Sequence, residues 1–287
     1  MPDSPEYDVI VVGAGPAGSR SAEVLASAGY NVLLTESDPQ IGFPVHCTGI
    51  VSEECFERYD LPQELVIRTQ QSFVLRSPQG RGLSIPLPSK AFVLNRPDLD
   101  RVLAERAQSS GARLLMSTKI DEVTWENPNV LVRGMTEGQG VELSARCAVI
   151  ATGFGSPLAR DFWPVPKQNV LSGCQMIVRA PDIKEIEVFT GKFLGQGGFG
   201  WLVPWRDGYA LTGLLTRKHT VSLMYSLVEK LQSEGPFPIV ISDMRMPEMD
   251  GATFLKQVRQ LAPDSTRLLL TGHADLEAAV KAVNEAK

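Results

Sequence analysis

The sequence predicts an α/β protein: a Rossmann-like nucleotide-binding domain with an inserted antiparallel sheet, followed by a partial flavodoxin-like segment. Three observations predict it. The stretch from Tyr7 to Glu36, YDVIVVGAGPAGSRSAEVLASAGYNVLLTE, reads as strand, glycine turn, helix, strand. The run from Gln71 to Leu87 alternates and is broken at Pro78, Gly80 and Gly82, as hairpin strands are. From Ser226 onward the pattern returns to helix, strand, helix, strand, helix.

Within the first stretch, Asp8 to Val12 is a short β-branched run that suits a strand buried on both faces of a parallel sheet. Gly13, Gly15 and Gly18 follow at the spacing G-x-G-x-x-G. The first allows a tight turn, the second lets the backbone approach a pyrophosphate, and the third lets the next helix sit close on the sheet. Ser19 to Ala28 places Ala22, Leu25 and Ala26 on one helical face, and the N–H groups at the helix start can receive phosphates. Asn31 to Thr35 is the second strand, and Glu36 stands where a carboxylate takes ribose hydroxyls. That carboxylate disfavours a 2′-phosphate, so FAD or NAD is expected rather than NADP, and the stretch itself leaves those two open.

At 287 residues with 43% hydrophobic content, the chain can bury one large core or two smaller ones. A net charge of −5 gives no broad basic surface, so no nucleic-acid partner is expected. The four cysteines, Cys47, Cys55, Cys147 and Cys174, lack paired metal-ligand spacing and read as reduced thiols of a cytoplasmic protein. No apolar run reaches membrane-span length and the acidic start MPDSPE is not expected to be a signal peptide; peripheral membrane contact, which needs only a modest apolar patch, stays compatible with this composition.

After Glu36 comes a turn-rich segment around HCTGIVS. On residue type alone Cys47 is expected to be a small buried hydrophobe; the alternative is that it lines the cofactor or the substrate. His46 has no spaced partner and is assigned no metal. Ala91 to Asn95 leads into a helix in which Pro97 suits the start and Leu99, Val102, Leu103 and Ala107 share a face; Gly111 ends it. Leu114 to Ser117 resumes a strand, Val130 to Val132 and Val141 to Leu143 fit a hairpin about the GQG turn, and Cys147 to Ala151 is a further buried strand ended by Thr152 and Gly153.

Residues 7–153 resemble the FAD-binding part of the flavoprotein reductase and hydroxylase superfamily, most closely the geranylgeranyl reductase family. The resemblance rests on VVGAGPAG with Glu36, on HCTGIVS, on NRPDLDRVLAERAQSSGA and on CAVIATGFGS. It implies FAD as cofactor, Arg96 and Cys47 near the flavin, the strand at Ile120 against the adenine, and Gly153 beside the FAD. The family's A-D-G acid is Thr152 here. Later, in QGGFGWLVPWRDG, the family's substrate-side motif P-x-x-Y-x-W-x-F-P is matched at Trp201 and Pro204 and not at Gln196, Phe199 or Val203. Phe199 and Trp201 would form an apolar wall for an isoprenoid chain or another apolar small molecule; equally, they would fill a core beneath a sheet. The family's later G-D-A motif is not found after Leu215, so the FAD-binding reductase-like domain, 1–217, is expected to be incomplete.

A junction is expected at 218–225 and a partial receiver over 226–287. The string SDMRMPEMDG resembles response-regulator receivers. There the aspartate matching Asp243 accepts a phosphoryl group from a histidine kinase, the carbonyl matching that of Arg245 helps hold Mg²⁺, and the residue matching Thr271 contacts the phosphoryl oxygen. The segment 216–225, TRKHTVSLMY, supplies no acidic pair for Mg²⁺, and Lys281 falls inside a helix, so the site reads as incomplete. The function these features predict is FAD-dependent reduction of isoprenoid double bonds, with no acid–base residue assigned. Three alternatives stand beside it: an FAD-dependent monooxygenase of the same superfamily, a two-component phosphorelay protein, and an inactive chimera of two gene fragments.

Overall fold

The computed structural model describes residues 5–45, 47–154, 156–163, 170–195, 197–217, 220–233, 239–243, 256 and 266–270. In chain order the first elements are β1 (Tyr7–Val12), α1 (Pro16–Ser27), β2 (Val32–Thr35), β3 (Ile50–Ser52), α2 (Glu53–Arg58), β4 (Val66–Arg76), β5 (Gly82–Leu94) and α3 (Arg96–Ser109). Next come β6 (Arg113–Leu115), β7 (Thr118–Glu126), β8 (Asn129–Thr136), β9 (Gln139–Ile150) and α4 (Pro157–Phe162). They are followed by β10 (Ser172–Arg179), β11 (Ile186–Thr190), β12 (Phe199–Pro204), β13 (Tyr209–Thr216), α5 (Thr220–Ser233), β14 (Ile239–Asp243) and β15 (Thr266–Leu270). The chain divides into two compact units, Met1–Val45 with Asn95–Pro166, and His46–Leu94 with Lys167–Lys287.

The first unit holds a sheet in the order β6-β2-β1-β9-β8-β7. β1 is parallel to β2 on one side and to β9 on the other, so the chain leaves β1 at the point where strand order reverses. Alternation along β1 decides its two faces. Val9 and Val11 pack with Ala22 and Ala26 of α1 and Ala107 of α3, whereas Ile10 and Val12 join a cluster with Ile120, Val130, Val132 and Leu158; Tyr7, at the strand start, departs from the alternation and joins the second cluster. A strand with apolar residues on both faces is what the continuous run DVIVV requires.

The hairpin and the CAVIA strand, expected to be separate, are one strand. β9 pairs with β8 over Gln139–Ala145 and with β1 over Ala145–Ile150, so a single run serves both the antiparallel and the parallel part. The β8–β9 turn is carried by Glu137 and Gly138, both at positive φ, the backbone twist that two-residue hairpins favour.

The second unit is built on a nine-stranded sheet, β15-β14-β10-β13-β12-β11-β4-β5-β3. β4 and β5 form the hairpin expected over Gln71–Leu87, extended at both ends. One sheet face is covered by α5: Met224, Leu227, Val228 and Leu231 pack on Met176, Val178, Leu202, Ala210 and Leu214.

α5 begins at Thr220 and runs without a break through the junction expected at 218–225. β14 and β15 are parallel to each other, as two strands of a receiver would be, yet β14 also pairs antiparallel with β10. The open edges expected of an isolated two-strand fragment are thereby reduced, since a bare strand edge seeks backbone partners.

Candidate functional site

The first unit gathers its chemistry at the C-terminal end of β1. Gly13 N–H donates to the Thr35 carbonyl at 2.9 Å, and Ala151 N–H donates to the Val12 carbonyl at 2.8 Å, so the turn is held from both neighbouring strands. Gly13 has φ of +102°, and a Cβ there would lie 2.5 Å from the Ala151 carbonyl oxygen. A Cβ on Gly18 would land on the carbonyl oxygen of Gly13. Both positions are therefore closed to any side chain. Ser19, fully buried, donates its hydroxyl to the Ala14 carbonyl at 2.9 Å and tightens the turn further.

Gly15 differs. It is the N-cap of α1, no side chain caps the helix, and a Cβ on Gly15 would meet nothing within 4 Å. The helix start thus presents free N–H groups and a positive dipole end to an open space, which fits a phosphate group. Glu36 closes the same turn: its Oε2 accepts from Ala14 N–H at 2.8 Å and its Oε1 from Asp38 N–H at 3.0 Å. The Glu36 carbonyl accepts from Thr118 N–H at 2.7 Å, which pins the start of β7 beside the acid.

Ile120 lies two residues into that strand. Its side chain is in the core with Ile10 and Val132, so only its backbone remains for a ligand. Gly153 has φ of +78° and open space at its Cβ direction, and the preceding Thr152 Oγ1 is buried with no partner among the described residues.

Arg96 opens α3 with its Nη2 on Asp100 Oδ2 at 2.8 Å. Asp100 is only 7% exposed, and its Oδ1 is buried with no partner among the described residues. Burial pushes the Asp100 carboxyl above the usual carboxylate range, opposed by the Arg96 guanidinium and reinforced by the nearby Glu36 charge. Sequence reasoning missed Asp100, Ser19 and Thr118. An Arg–x–x–x–Asp spacing at a helix start is the one written signal for Asp100, and it looks the same for a solvated pair.

In the second unit, Cys47 is an exposed free thiol, which corrects the expectation of a buried hydrophobe; its sulfur accepts from Gly49 N–H at 3.4 Å. HCTGIVS supplies no apolar neighbours dense enough to enclose it before β3 begins. Phe199, Trp201 and Val203 alternate along β12 on one face, and Gly200 and Leu202 on the other. The second of these faces is the one packed under α5. Phe199, 37% exposed, packs tilted against Trp201 with ring centroids 5.9 Å apart, and the Trp201 indole lies over Gly213 of β13. Trp201 also borders the apolar cluster of Val93, Ile186, Val203 and Leu211, so this aromatic pair is part wall and part core. Asp243 is the last residue of β14; Arg245 and Thr271 lie outside the described residues, as do His46 and Gln196. No helix among the described residues is long and apolar enough to cross a membrane.

Residues 7–183 match the pyridine nucleotide-disulphide oxidoreductase family. The chain belongs to that family. Residues 210–286 match the response regulator receiver domain. Among the similar curated proteins are digeranylgeranylglycerophospholipid reductases. That of Methanosphaera stadtmanae is 30% identical over 77% of this chain and 57% of the relative. That of Methanothermobacter thermautotrophicus is 32% identical over 76% of this chain and 59% of the relative.

The chain therefore spans a little over half the length of these relatives. Among solved structures, a geranylgeranyl bacteriochlorophyll reductase-like protein of Thermoplasma acidophilum superposes with a TM-score of 0.73 at 20% identity, over 92% of this chain and 70% of that one. Halogenase PltM, solved in complex with phloroglucinol and FAD, superposes with a TM-score of 0.59 at 18% identity, over 80% of this chain and 56% of that one. The fold of the oxidoreductase is accordingly the Rossmann-like fold of FAD-binding enzymes.

Proposed function

We propose that this oxidoreductase binds FAD at the turn after β1 and uses it to reduce carbon–carbon double bonds of an isoprenoid chain. The observation that carries the cofactor reading is the uncapped start of α1 at Gly15, open in front and flanked by the Glu36 carboxylate. The pyrophosphate would lie on the N–H groups of α1, an adenosine ribose on Glu36, and the adenine beside the backbone near Ile120. Gly153 would serve the flavin half, and Arg96 the pyrophosphate. FAD held there and reduced by an external two-electron donor would supply hydride chemistry for alkene reduction, the balancing proton coming from solvent.

The isoprenoid part rests on the names of the relatives and on the half-open aromatic pair Phe199–Trp201, since hydrocarbon binding is driven by area removed from water. Such a lipid-like substrate also accords with peripheral membrane contact, and four cysteines without paired metal-ligand spacing accord with a reducing cytoplasm.

The test is to load the protein with FAD, reduce it with dithionite without oxygen, and add a digeranylgeranylglycerol lipid. A mass gain of two hydrogens per reduced double bond, with return of the oxidised flavin spectrum, is expected. Substitution Trp201→Ala is expected to lower the rate about tenfold, on the scale of one lost aromatic contact. Oxygen incorporation into product under air, without alkene reduction, would assign the chain to the monooxygenases instead.

For the receiver segment, Asp243 ends β14 at the C-terminal edge where parallel sheets hold ligands. The donor set for Mg²⁺ does not fit, because 216–225 contains no carboxylate to join it. A histidine-kinase partner and phosphorylation of Asp243 would therefore need phosphate mass on that residue after acetyl phosphate with Mg²⁺. Its absence would leave the segment as a structural addition to the second unit.

A further inference from the structure

The first turn of α3 breaks two local rules at once. Arg96 puts a cation at the positive end of a helix dipole, and the order Arg then Asp four residues on is the less favourable direction for such a pair. The pair is also costly in itself. The Arg96 side chain is 18% exposed and the Asp100 side chain 10%, with one contact between them and the Asp100 Oδ1 left without a partner among the described residues. A half-satisfied buried ion pair is often less stable than an apolar replacement. Natural chains keep such arrangements where a ligand uses them.

The surroundings point to one ligand. α3 packs beside α1, the helix that opens at the glycine turn, through Ala107 with Ala22 and Ala26, and Glu36, which binds the Ala14 N–H of that turn, is among the charges acting on Asp100. Gly42, at φ of +83°, lets its loop close on Pro97, where a Cβ would stand 2.6 Å from the Pro97 Cα; the first turn of α3 is thus held against the loop that follows Glu36. Within this frame Arg96 stands at the first helical position of α3, its side chain anchored on Asp100.

We propose that Asp100 is a positioning residue, holding the Arg96 guanidinium so that its remaining donors meet an anionic group of the bound cofactor. This rests on the FAD reading above. The guanidinium has five N–H donors and, among the described residues, spends one on Asp100, so donors remain for a pyrophosphate oxygen. Without Asp100 the same cation would be free to rotate out into solvent, and ordering it again would cost affinity.

The experiment compares the full chain with Asp100→Asn, Arg96→Ala and the double variant, reading FAD affinity by flavin fluorescence and ligand-free melting temperature. Asparagine removes the buried charge and replaces the charge-assisted bond to Arg96 by a weaker neutral one. Asp100→Asn is expected to weaken FAD about tenfold, with a ligand-free melting temperature equal to or above that of the parent. In the Arg96→Ala background the further loss on changing Asp100 should vanish. Millimolar guanidinium chloride should restore FAD affinity to Arg96→Ala and not to the double variant, with sodium chloride as the ionic-strength control. Asp100→Asn that binds FAD as the parent does overturns the proposal, as does additivity of the two losses or equal rescue in both backgrounds. A parent chain that retains no FAD overturns the cofactor reading as well, which separates the two failures.

Discussion

Gly15→Ala should fold as the parent does and lose FAD. At Gly15 the backbone is extended with φ of −68°, which alanine adopts freely, and the added methyl meets no protein atom within 4 Å. Its stability should change by well under about 1 kcal/mol, the scale of a surface substitution. The same methyl would occupy the space in front of the α1 N-terminus and hold a pyrophosphate away from two N–H groups. Charge-assisted hydrogen bonds of this kind contribute about 1.5–3 kcal/mol each, so the loss in affinity should be about 100-fold or more.

Gly18→Ala provides the contrast. Its methyl would fall on the Gly13 carbonyl, so α1 must lift from the sheet and both melting temperature and FAD retention should drop together. Urea unfolding and the flavin absorbance retained after desalting separate the two cases. A Gly15→Ala variant that keeps FAD at parental affinity would remove the pyrophosphate from this helix.

The contrast also marks what could be read from the chain. Gly13, Gly18 and Glu36 were legible because their neighbours are close in sequence: a strand, a turn and a helix fix one another within thirty residues. Asp100 was not, because burial decides its meaning and burial depends on α1, the loop at Gly42 and Glu36, none of which its own helix encodes. Cys47 failed for the same reason in reverse, its residue type suggesting a core position that the glycine-rich loop around it does not build. The continuity of β9 was hidden because one strand changes partner at Ala145, where the sequence offers a change of composition and no break. Register between β14 and β10, more than sixty residues apart, has no local signature at all.

Leu227→Ala should destabilise the second unit by about 2–5 kcal/mol, the range for emptying a fully buried leucine site. Leu227 is 0% exposed and its methyls pack on Gly200 of β12, in a cluster that joins α5 to β10, β12 and β13. The prediction discriminates because two accounts of this helix differ in their consequence. If residues from Ser226 onward formed a receiver fragment apart from the oxidoreductase, a cavity at Leu227 would leave the oxidoreductase sheet untouched. With α5 closing the lower face of that sheet, the same cavity lies beneath Trp201 and its neighbours on β12. Urea unfolding followed by tryptophan fluorescence reports the sheet through Trp201 and Trp205, since Trp125 and Trp163 are already largely exposed in the folded chain. A midpoint lowered in proportion to the lost stability, at unchanged slope, is expected. An unchanged midpoint would detach α5 from the sheet and return the boundary to 218–225. The physical reason to expect the former is that a sheet face carrying Met176, Val178, Leu202 and Leu214 must be covered by something apolar, and α5 is the element that supplies Met224, Leu227, Val228 and Leu231 at helical spacing for it.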